Sequence, residues 1–470
     1  MQTGRRGFLV SLGGITLGRA AAKRPPNIIW IMADDLGYGD LGCYGQNIIQ
    51  TPNLDRLASE GTRFTDAYAG CTVCAPSRSV LMTGYHMGHT SVRSNPGGVP
   101  LLSSDVTIAE RLKPAGYRTG GFGKWGLGDI GTDGVPWKHG FDEFSGYFNQ
   151  VHAHWFYPEF LYQNDKRYPL RGNTDARRTT YSHDVIAEKG LQFIRRNKDA
   201  PFFCYLAYTL PHLELLVPED SLRPYRDRIV EEKPYVDPKK HYADQPEARA
   251  AYAGMVSRLD RDVGRVLALL TELRLADNTV VFFTSDNGSA VPLWGEDYFR
   301  STAGLRGHKQ NLYEGGIRVP MIARWPQRIA GGAVSNHPWA FWDAMPTLCD
   351  IADCAAVPGI DGRSVLPALL GRPQKPAEFL YWELPRYNGK TGRFADEMPM
   401  QAVRTGDWKA VRPRPNGPLE LYNLRADPRE STNVAEKEQA AIARIEEYLR
   451  TARTPPRPQV DPPQDFRKAS

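Results

Sequence analysis

The residues best suited to chemistry fall into one cysteine segment and two acidic pairs. Cys71-Thr72-Val73-Cys74-Ala75-Pro76-Ser77-Arg78 runs on to Thr83-Gly84. Two cysteines separated by two residues suit a redox pair or half of a zinc site. No second cysteine pair or nearby histidine cluster supports zinc, and no thioredoxin-like pattern surrounds the pair. Pro76 belongs in the first turn of a short helix ending near Gly84, which puts Cys74 at a helix N-terminus. Backbone N–H groups and the helix dipole favour an anion there. Asp34-Asp35 and Asp286-Asn287 each follow an apolar run of strand length. Three carboxylates and an amide oxygen, once convergent, make an all-oxygen site. Hard oxygen ligands favour Ca²⁺ or Mg²⁺ over zinc. Each pair alone also fits a turn. Asn287-Gly288 is a hairpin signal, but no matching strand follows it.

These residues need a scaffold. From Lys23 the chain alternates apolar runs with helical patterns. Asn27–Ala33 is continuously apolar, as in strands buried on both faces. Similar runs recur at Tyr117–Phe122, Phe202–Tyr208 and Thr279–Thr284. Thr51–Gly61 reads as a helix with Thr51 as N-cap, Pro52 in the first turn and Gly61 as terminator. Glu247–Leu273 reads as a long helix, with Met255, Leu259, Val263, Val266 and Leu270 on its apolar positions. The pattern is α/β with a mostly parallel sheet. Ligands of such sheets bind beyond the carboxyl ends of the strands, where both acidic pairs stand. The character changes after about Leu370. Gln401–Arg404 and Trp408–Arg412 flank Thr405-Gly406-Asp407, a hairpin signal, and a helix carrying Ile442, Ile445 and Leu449 follows. These features predict a catalytic domain over residues 23–375, a smaller C-terminal α+β subdomain over 376–453, and a poorly ordered Pro-rich tail over 454–470.

At 470 residues and 41% hydrophobic, the chain can bury a large core. Its formal charge of +6 includes Arg5, Arg6 and Arg19, and no acid precedes residue 23. The remainder therefore carries 56 bases against 53 acids, a bias too weak for a nucleic-acid protein. Arg5-Arg6 stands before the apolar stretch Phe8–Gly18, and Arg19 then leads into Ala20-Ala21-Ala22. Residues 1–22 thus read as a twin-arginine signal peptide, which passes a folded protein through the Tat export machinery to the periplasm or beyond. The stretch is well short of the ~20 residues that span a bilayer, so no stable membrane insertion is expected. The six cysteines are too few for a disulfide scaffold. Cys349 and Cys354 either pair after export or are two small buried residues.

Cys74-Ala75-Pro76-Ser77-Arg78 with Thr83-Gly84 resembles the signature of the formylglycine-dependent type I sulfatases, arylsulfatase-like members of the alkaline phosphatase superfamily. The resemblance continues in order. Asp34-Asp35 is similar to the family's first metal pair and Gly123-Lys124-Trp125 to the segment holding an active-site lysine. Pro211-His212 is similar to a histidine near the leaving group, and Ser285-Asp286-Asn287-Gly288 to the second metal pair. Lys309, upstream of Glu314-Gly315-Gly316-Ile317-Arg318-Val319-Pro320, is similar to a second lysine. Gly406-Asp407-Trp408-Lys409, Leu421-Tyr422-Asn423-Leu424 and Asp427-Pro428 complete a match over about residues 27–435. The resemblance implies an alkaline-phosphatase-like fold: a large mixed, mostly parallel sheet between helices, with a smaller C-terminal α+β subdomain. It implies that a formylglycine-generating enzyme, directed by Pro76 and Arg78, oxidises Cys74 to 3-oxoalanine. It implies Asp34, Asp35, residue 74, Asp286 and Asn287 as ligands of Ca²⁺, with Mg²⁺ the alternative. Cys74, Arg78, Lys124, His212 and Lys309 are its catalytic set.

One position departs from the family. Lys-Trp-His-Leu-Gly is usual, and here the run is Lys124-Trp125-Gly126-Leu127-Gly128. That histidine normally touches the formylglycine hydroxyls. His152 and His154 in the next loop are candidates for the vacated role, or else surface and packing histidines. The implied reaction is attack of one hydroxyl of a hydrated aldehyde on the sulfur of a sulfate ester. The metal, Lys124, Lys309 and Arg78 stabilise the charge, and His212 protonates the departing oxygen. The second hydroxyl then expels sulfate. The substrate expected is a small or carbohydrate sulfate ester. Two other readings remain: a phosphonate monoester or phosphodiester hydrolase of the same superfamily, and a catalytically silent sulfated-glycan-binding protein, to which Gly126 points.

Overall fold

A computed structural model describes residues 24–459, apart from 175–176, 296, 389–390 and 396–397. The twin-arginine segment and the tail beyond 459 lie outside the described residues. Ten strands form the main sheet: β1 Asn27–Ala33, β2 Thr62–Phe64, β3 Arg118–Lys124, β4 Glu143–Tyr147, β5 Phe160–Gln163, β6 Lys166–Pro169, β7 Phe202–Ala207, β8 Thr279–Ser285, β9 Met321–Arg324 and β10 Ala333–Ser335. Their order across the sheet is β10-β2-β9-β8-β1-β7-β3-β4-β5-β6. The five central strands, β8 to β4, are parallel, and antiparallel strands flank them. The sheet is thus mixed and mostly parallel at its centre. β1 and β8 are buried at every residue, the signature of strands covered on both faces.

Helices α1 Pro52–Ser59, α2 Cys74–Thr83, α3 Ser182–Arg196 and α4 Ala248–Glu272 cover this sheet. One core face packs Trp30, Phe282 and Phe341 with α2, and the other packs Ile29, Ile31 and Phe283 with α3 and α4. Two local expectations need correction. Gly61 does not end α1 through a left-handed turn. A Cβ there would lie 2.3 Å from the Ala323 carbonyl oxygen, so the glycine permits close approach of β9. Thr51 makes no side-chain cap to α1; its hydroxyl accepts from Gly42 N–H and donates to Asp55.

A separate antiparallel sheet follows: β11 Leu380–Leu384, β12 Met400–Thr405, β13 Trp408–Arg412 and β14 Glu420–Asn423. β12 and β13 close a hairpin with Thr405 opposite Trp408, as the Gly406-Asp407 pair predicts. Helix α5, Gln439–Leu449, packs Ile445 into this small core. The expected disorder of the tail fails over residues 454–459. Thr454 N–H donates to Gly88, Arg457 reaches the Ser91 and Pro100 carbonyls, and the fully buried Gln459 side chain accepts from Ser94. No helix of the described residues is long and apolar enough to cross a membrane.

Candidate functional site

The carboxyl ends of four parallel strands deliver the polar residues to one place. Asp34 and Asp35 follow β1, Asp286 and Asn287 follow β8, Lys124 ends β3, and His212 lies on the loop after β7. Backbone bonds lock the loops together: Asp286 N–H donates to Ala33 O, and Asp34 N–H to Leu210 O. Asp35 takes a left-handed conformation at φ 64°, which costs roughly 1–2 kcal/mol. Asp34 and its neighbour Asp35 both reach Cys74: their Oδ1 atoms lie 3.3 and 3.9 Å from Sγ.

Cys74 is the first residue of α2, a helix buried throughout and ended by Gly84 at φ 75°. Ala75 N–H donates to Asn95 Oδ1 at 2.8 Å, which meets one of the free donors of the helix start. Arg78 stands one turn on, so it shares the face of Cys74. Its guanidinium, wholly buried, lies 2.7 Å from Asp286 Oδ2 and donates to the Lys124 carbonyl. Ser77 donates to the Asp286 carbonyl and accepts from Gly70 N–H, fixing α2 against the β8 loop.

Lys124 Nζ lies 2.7 Å from Asp34 Oδ2, with neither side chain exposed. Lys309 Nζ lies 2.8 Å from Asp35 Oδ2, 3.6 Å from Cys74 Sγ and 3.4 Å from His212 Nε2. His212 Nδ1 sits 2.9 Å from the Leu213 carbonyl. A carbonyl only accepts, so Nδ1 carries the proton and Nε2 faces the cluster. His154 stacks on His212 with centroids 4.7 Å apart. Its Nδ1 is 2.8 Å from His241 Nε2 and 3.2 Å from the Tyr242 hydroxyl. His241 and Tyr242 carry no motif in the sequence; only the fold brings their loop here. His152 goes elsewhere. It is fully buried against Tyr147 and Phe160, at 4.9 and 4.8 Å between rings, and is a packing residue. The two histidines part because a short 3₁₀ turn spans residues 152–154.

Burial alone would raise the Asp34 carboxyl. Lys124, His212, Arg78 and Lys309 outweigh it and hold the group well below the usual carboxylate range. Burial and the Asp34 charge push Asp286 the other way. Burial, Asp286 and Asp34 raise the Cys74 thiol well above its ordinary value. A thiol held neutral is a poor nucleophile. Burial lowers His212 to about 4, against the pull of Asp35. The donor set fits a hard divalent cation: the buried carboxylates of Asp34 and Asp35 stand beside Sγ, buried Asp286 accepts from the Asp35 N–H, and Asn287 Oδ1 is buried with no partner among the described residues. Residues Asp34, Asp35, Cys74 and His212 present ligand atoms within 4.8 Å of one another. All six cysteines are free thiols, Cys349 and Cys354 included.

A family model described as Sulfatase matches residues 26–354, and one for the C-terminal part of N-sulphoglucosamine sulphohydrolase matches residues 307–454. N-acetylgalactosamine-6-sulfatase of Canis lupus familiaris is 34% identical over 439 residues, covering 87% of this chain and 75% of its own. Arylsulfatase A of Homo sapiens is 34% identical over 431 residues, covering 83% and 75%. The crystal structure of Ps i-CgsB in complex with k-i-k-neocarrahexaose superposes with a TM-score of 0.77 at 28% identity, over 92% of this chain and 94% of that one. The ordered motifs, the sheet that brings them together and these likenesses agree: the chain belongs to the sulfatase family, within the alkaline phosphatase superfamily, and is a sulfuric ester hydrolase.

Proposed function

We propose that this enzyme cleaves sulfate esters of carbohydrates at residue 74, with Cys74 oxidised to formylglycine and a Ca²⁺ ion beside it. The carrying observation is the convergence of Asp34, Asp35, Arg78, Lys124, Lys309 and His212 around the Cys74 end of α2. The saccharide named in the Ps i-CgsB complex and the amino sugar named in the N-acetylgalactosamine-6-sulfatases support a carbohydrate substrate. Ca²⁺ is favoured over Mg²⁺ because it accepts six to eight oxygen ligands in irregular geometry, which suits a crowd of carboxylates.

Asp34, Asp35, Asp286 and Asn287 would hold the cation, which would supply Lewis-acid stabilisation of charge on oxygen. The modified side chain would offer two hydroxyls on one carbon, one to attack sulfur and one to lose its proton when sulfate leaves. Lys124, Lys309 and Arg78 place three cations around that carbon, and their burial leaves their fields less screened than at the surface. His212 presents Nε2 to the cluster, 3.4 Å from Lys309 Nζ, and would pass a proton drawn from that ammonium to the departing alcohol oxygen. His154, stacked on His212 and held by His241 and Tyr242, orients that ring and lines the substrate side.

The reading includes oxidation by a formylglycine-generating enzyme and then Tat export. It keeps a catalytic part over residues 23–375 and a smaller C-terminal part over 376–453. Mass spectrometry of the tryptic peptide Phe64–Arg78 tests it directly. Conversion replaces H₂S by oxygen in the peptide's composition. An intact thiol, in a host that modifies other sulfatases, would sink the formylglycine reading. Rates on matched aryl sulfate and aryl phosphonate esters test the ester class, and sulfate is expected to be preferred. An uncleaved N-terminus on exported material would count against the signal peptide.

A further inference from the structure

Gly126 and Gln150 form a pair that the mechanism above does not use. Gly126 sits two residues past Lys124 in a left-handed conformation at φ 75°. A Cβ built there would lie 2.3 Å from Gln150 Nε2, 3.0 Å from its Cδ and 3.6 Å from Arg78 Cδ. The Gln150 amide therefore occupies the volume that a side chain at 126 would need, alongside the stem of Arg78. Gln150 is 2% exposed. Neither its Nε2 nor its Oε1 has a hydrogen-bond partner among the described residues. An amide has two donor hydrogens and an acceptor oxygen, and burying all of them unmet is unfavourable. Native proteins rarely leave such a group unmet; a ligand, an ion or an ordered water takes it up.

The backbone holds this amide in place. Gly126 N–H donates to Phe148 O, and Gln150 N–H donates to Gly97 O. Gly97 lies two residues after Asn95, which accepts from Ala75 at the start of α2. Gln150 is thus pinned between the Lys124 strand end and the loop that meets the nucleophile helix. Its neighbour Asn149 is spent locally, on Val151 N–H and on Asp129.

We propose that Gln150 is a further anion-binding residue of this site, donating from Nε2 to an oxygen of the sulfuryl group held beside Arg78. The glycine at 126 makes room for it. The proposal rests on residue 74 being a sulfate ester site. The probe is inorganic sulfate, the reaction product, titrated calorimetrically into the oxidised, Ca²⁺-loaded enzyme, with kcat and KM for an aryl sulfate measured in parallel. Gln150→Leu keeps the volume and deletes both polar groups. Sulfate affinity is expected to fall about tenfold, the range of a hydrogen bond to a charged group. Thermal stability without sulfate is expected to hold or rise, because an unmet buried amide is gone. Gln150→Glu places a carboxylate at the anion and is expected to weaken sulfate binding further; it also serves if the leucine variant fails to fold. Unchanged sulfate affinity and unchanged kcat/KM in a folded variant overturn the proposal and leave the sulfatase site intact. A wild-type enzyme that neither binds sulfate nor releases it overturns both.

Discussion

Lys409 Nζ lies 2.8 Å from Glu314 Oε1 and 3.0 Å from Glu430 Oε1, and none of the three side chains is exposed. Lys409 belongs to β13 of the small sheet, whereas Glu314 follows the loop that carries Lys309. Lys409, Arg318 and Arg404 hold the Glu314 carboxyl well below its ordinary range, against burial. Glu430 also accepts from Glu314 N–H. Two motifs far apart in the sequence thus meet as one buried charge cluster, and the C-terminal sheet braces the Lys309 loop.

Removing Lys409 leaves Glu314 with Arg318 but strips Glu430 of the Lys409 ammonium beside that carboxylate. Lys409→Met is expected to cost about 3–5 kcal/mol, as for other broken buried pairs. Urea unfolding measures it. A loss within 0.5 kcal/mol, the range of about that size typical of surface sites, would show that the cluster does not brace the fold.

Cys74→Ser supplies one hydroxyl where the proposed formylglycine hydrate would have two. Attack on sulfur still leaves a sulfate ester on residue 74, but no second hydroxyl can expel it. The variant is expected to stall after a single turnover, with SO₃ added to the Phe64–Arg78 peptide in its mass spectrum. Sustained turnover would reject the two-hydroxyl account.

Chelation tests the cation. In apo-enzyme, Asp34, Asp35 and Asp286 keep Lys124, Lys309 and Arg78 as partners, so the fold should persist at a lower Tm. Ca²⁺ at about a hundredfold excess over its Kd stabilises by about 2.7 kcal/mol. Asp286→Ala is expected to lose this Ca²⁺-dependent rise in Tm, read by scanning calorimetry with and without the ion. An equal rise in the variant would move the ion elsewhere.

In the proposed reaction His212 relays a proton through Nε2 to the leaving oxygen, so its deletion should matter most for poor leaving groups. His212→Ala is expected to lower kcat on alkyl sulfates by about 10²–10⁴-fold, the usual range for a positioned acid, and much less on nitrophenyl sulfate. Equal losses on both would assign His212 another task.

Asp343 gives a pH signature away from the site. It is buried, accepts from Ala340 and Arg363 N–H, and burial raises it from 3.8 to about 7. The folded state then binds more protons than the unfolded one between those values, so this contribution to stability declines as pH rises from about 4 to about 7. Asp343→Asn removes the decline. The stability difference between wild type and variant should shift by a few kcal/mol across that window and stay flat above it. Urea unfolding at several pH values measures it, and parallel curves would exclude Asp343 as the source.

Local patterns in the chain determine much of this protein. Continuous apolar runs mark β1, β7 and β8, because strands covered on both faces need no polar alternation. Pro76 and Gly84 bracket α2, since one residue fits the start of a helix and the other its left-handed end. The acidic pairs, both lysines, His212 and Arg78 are all legible as residue types in order along the chain. What the tertiary structure alone decides is company and direction. Gly61 has a helix-ending look but serves the approach of a strand 262 residues away at Ala323. His152 and His154 look alike in sequence, yet one packs under aromatic rings and the other stacks on His212. Gln459 looks like part of a loose tail and is fully buried. His241, Tyr242 and Gln150 carry no local signal, because their roles depend on loops brought together by strand order. Sequence spacing encodes what each segment forms; which side chains meet is fixed only when the parallel strands set their carboxyl ends side by side.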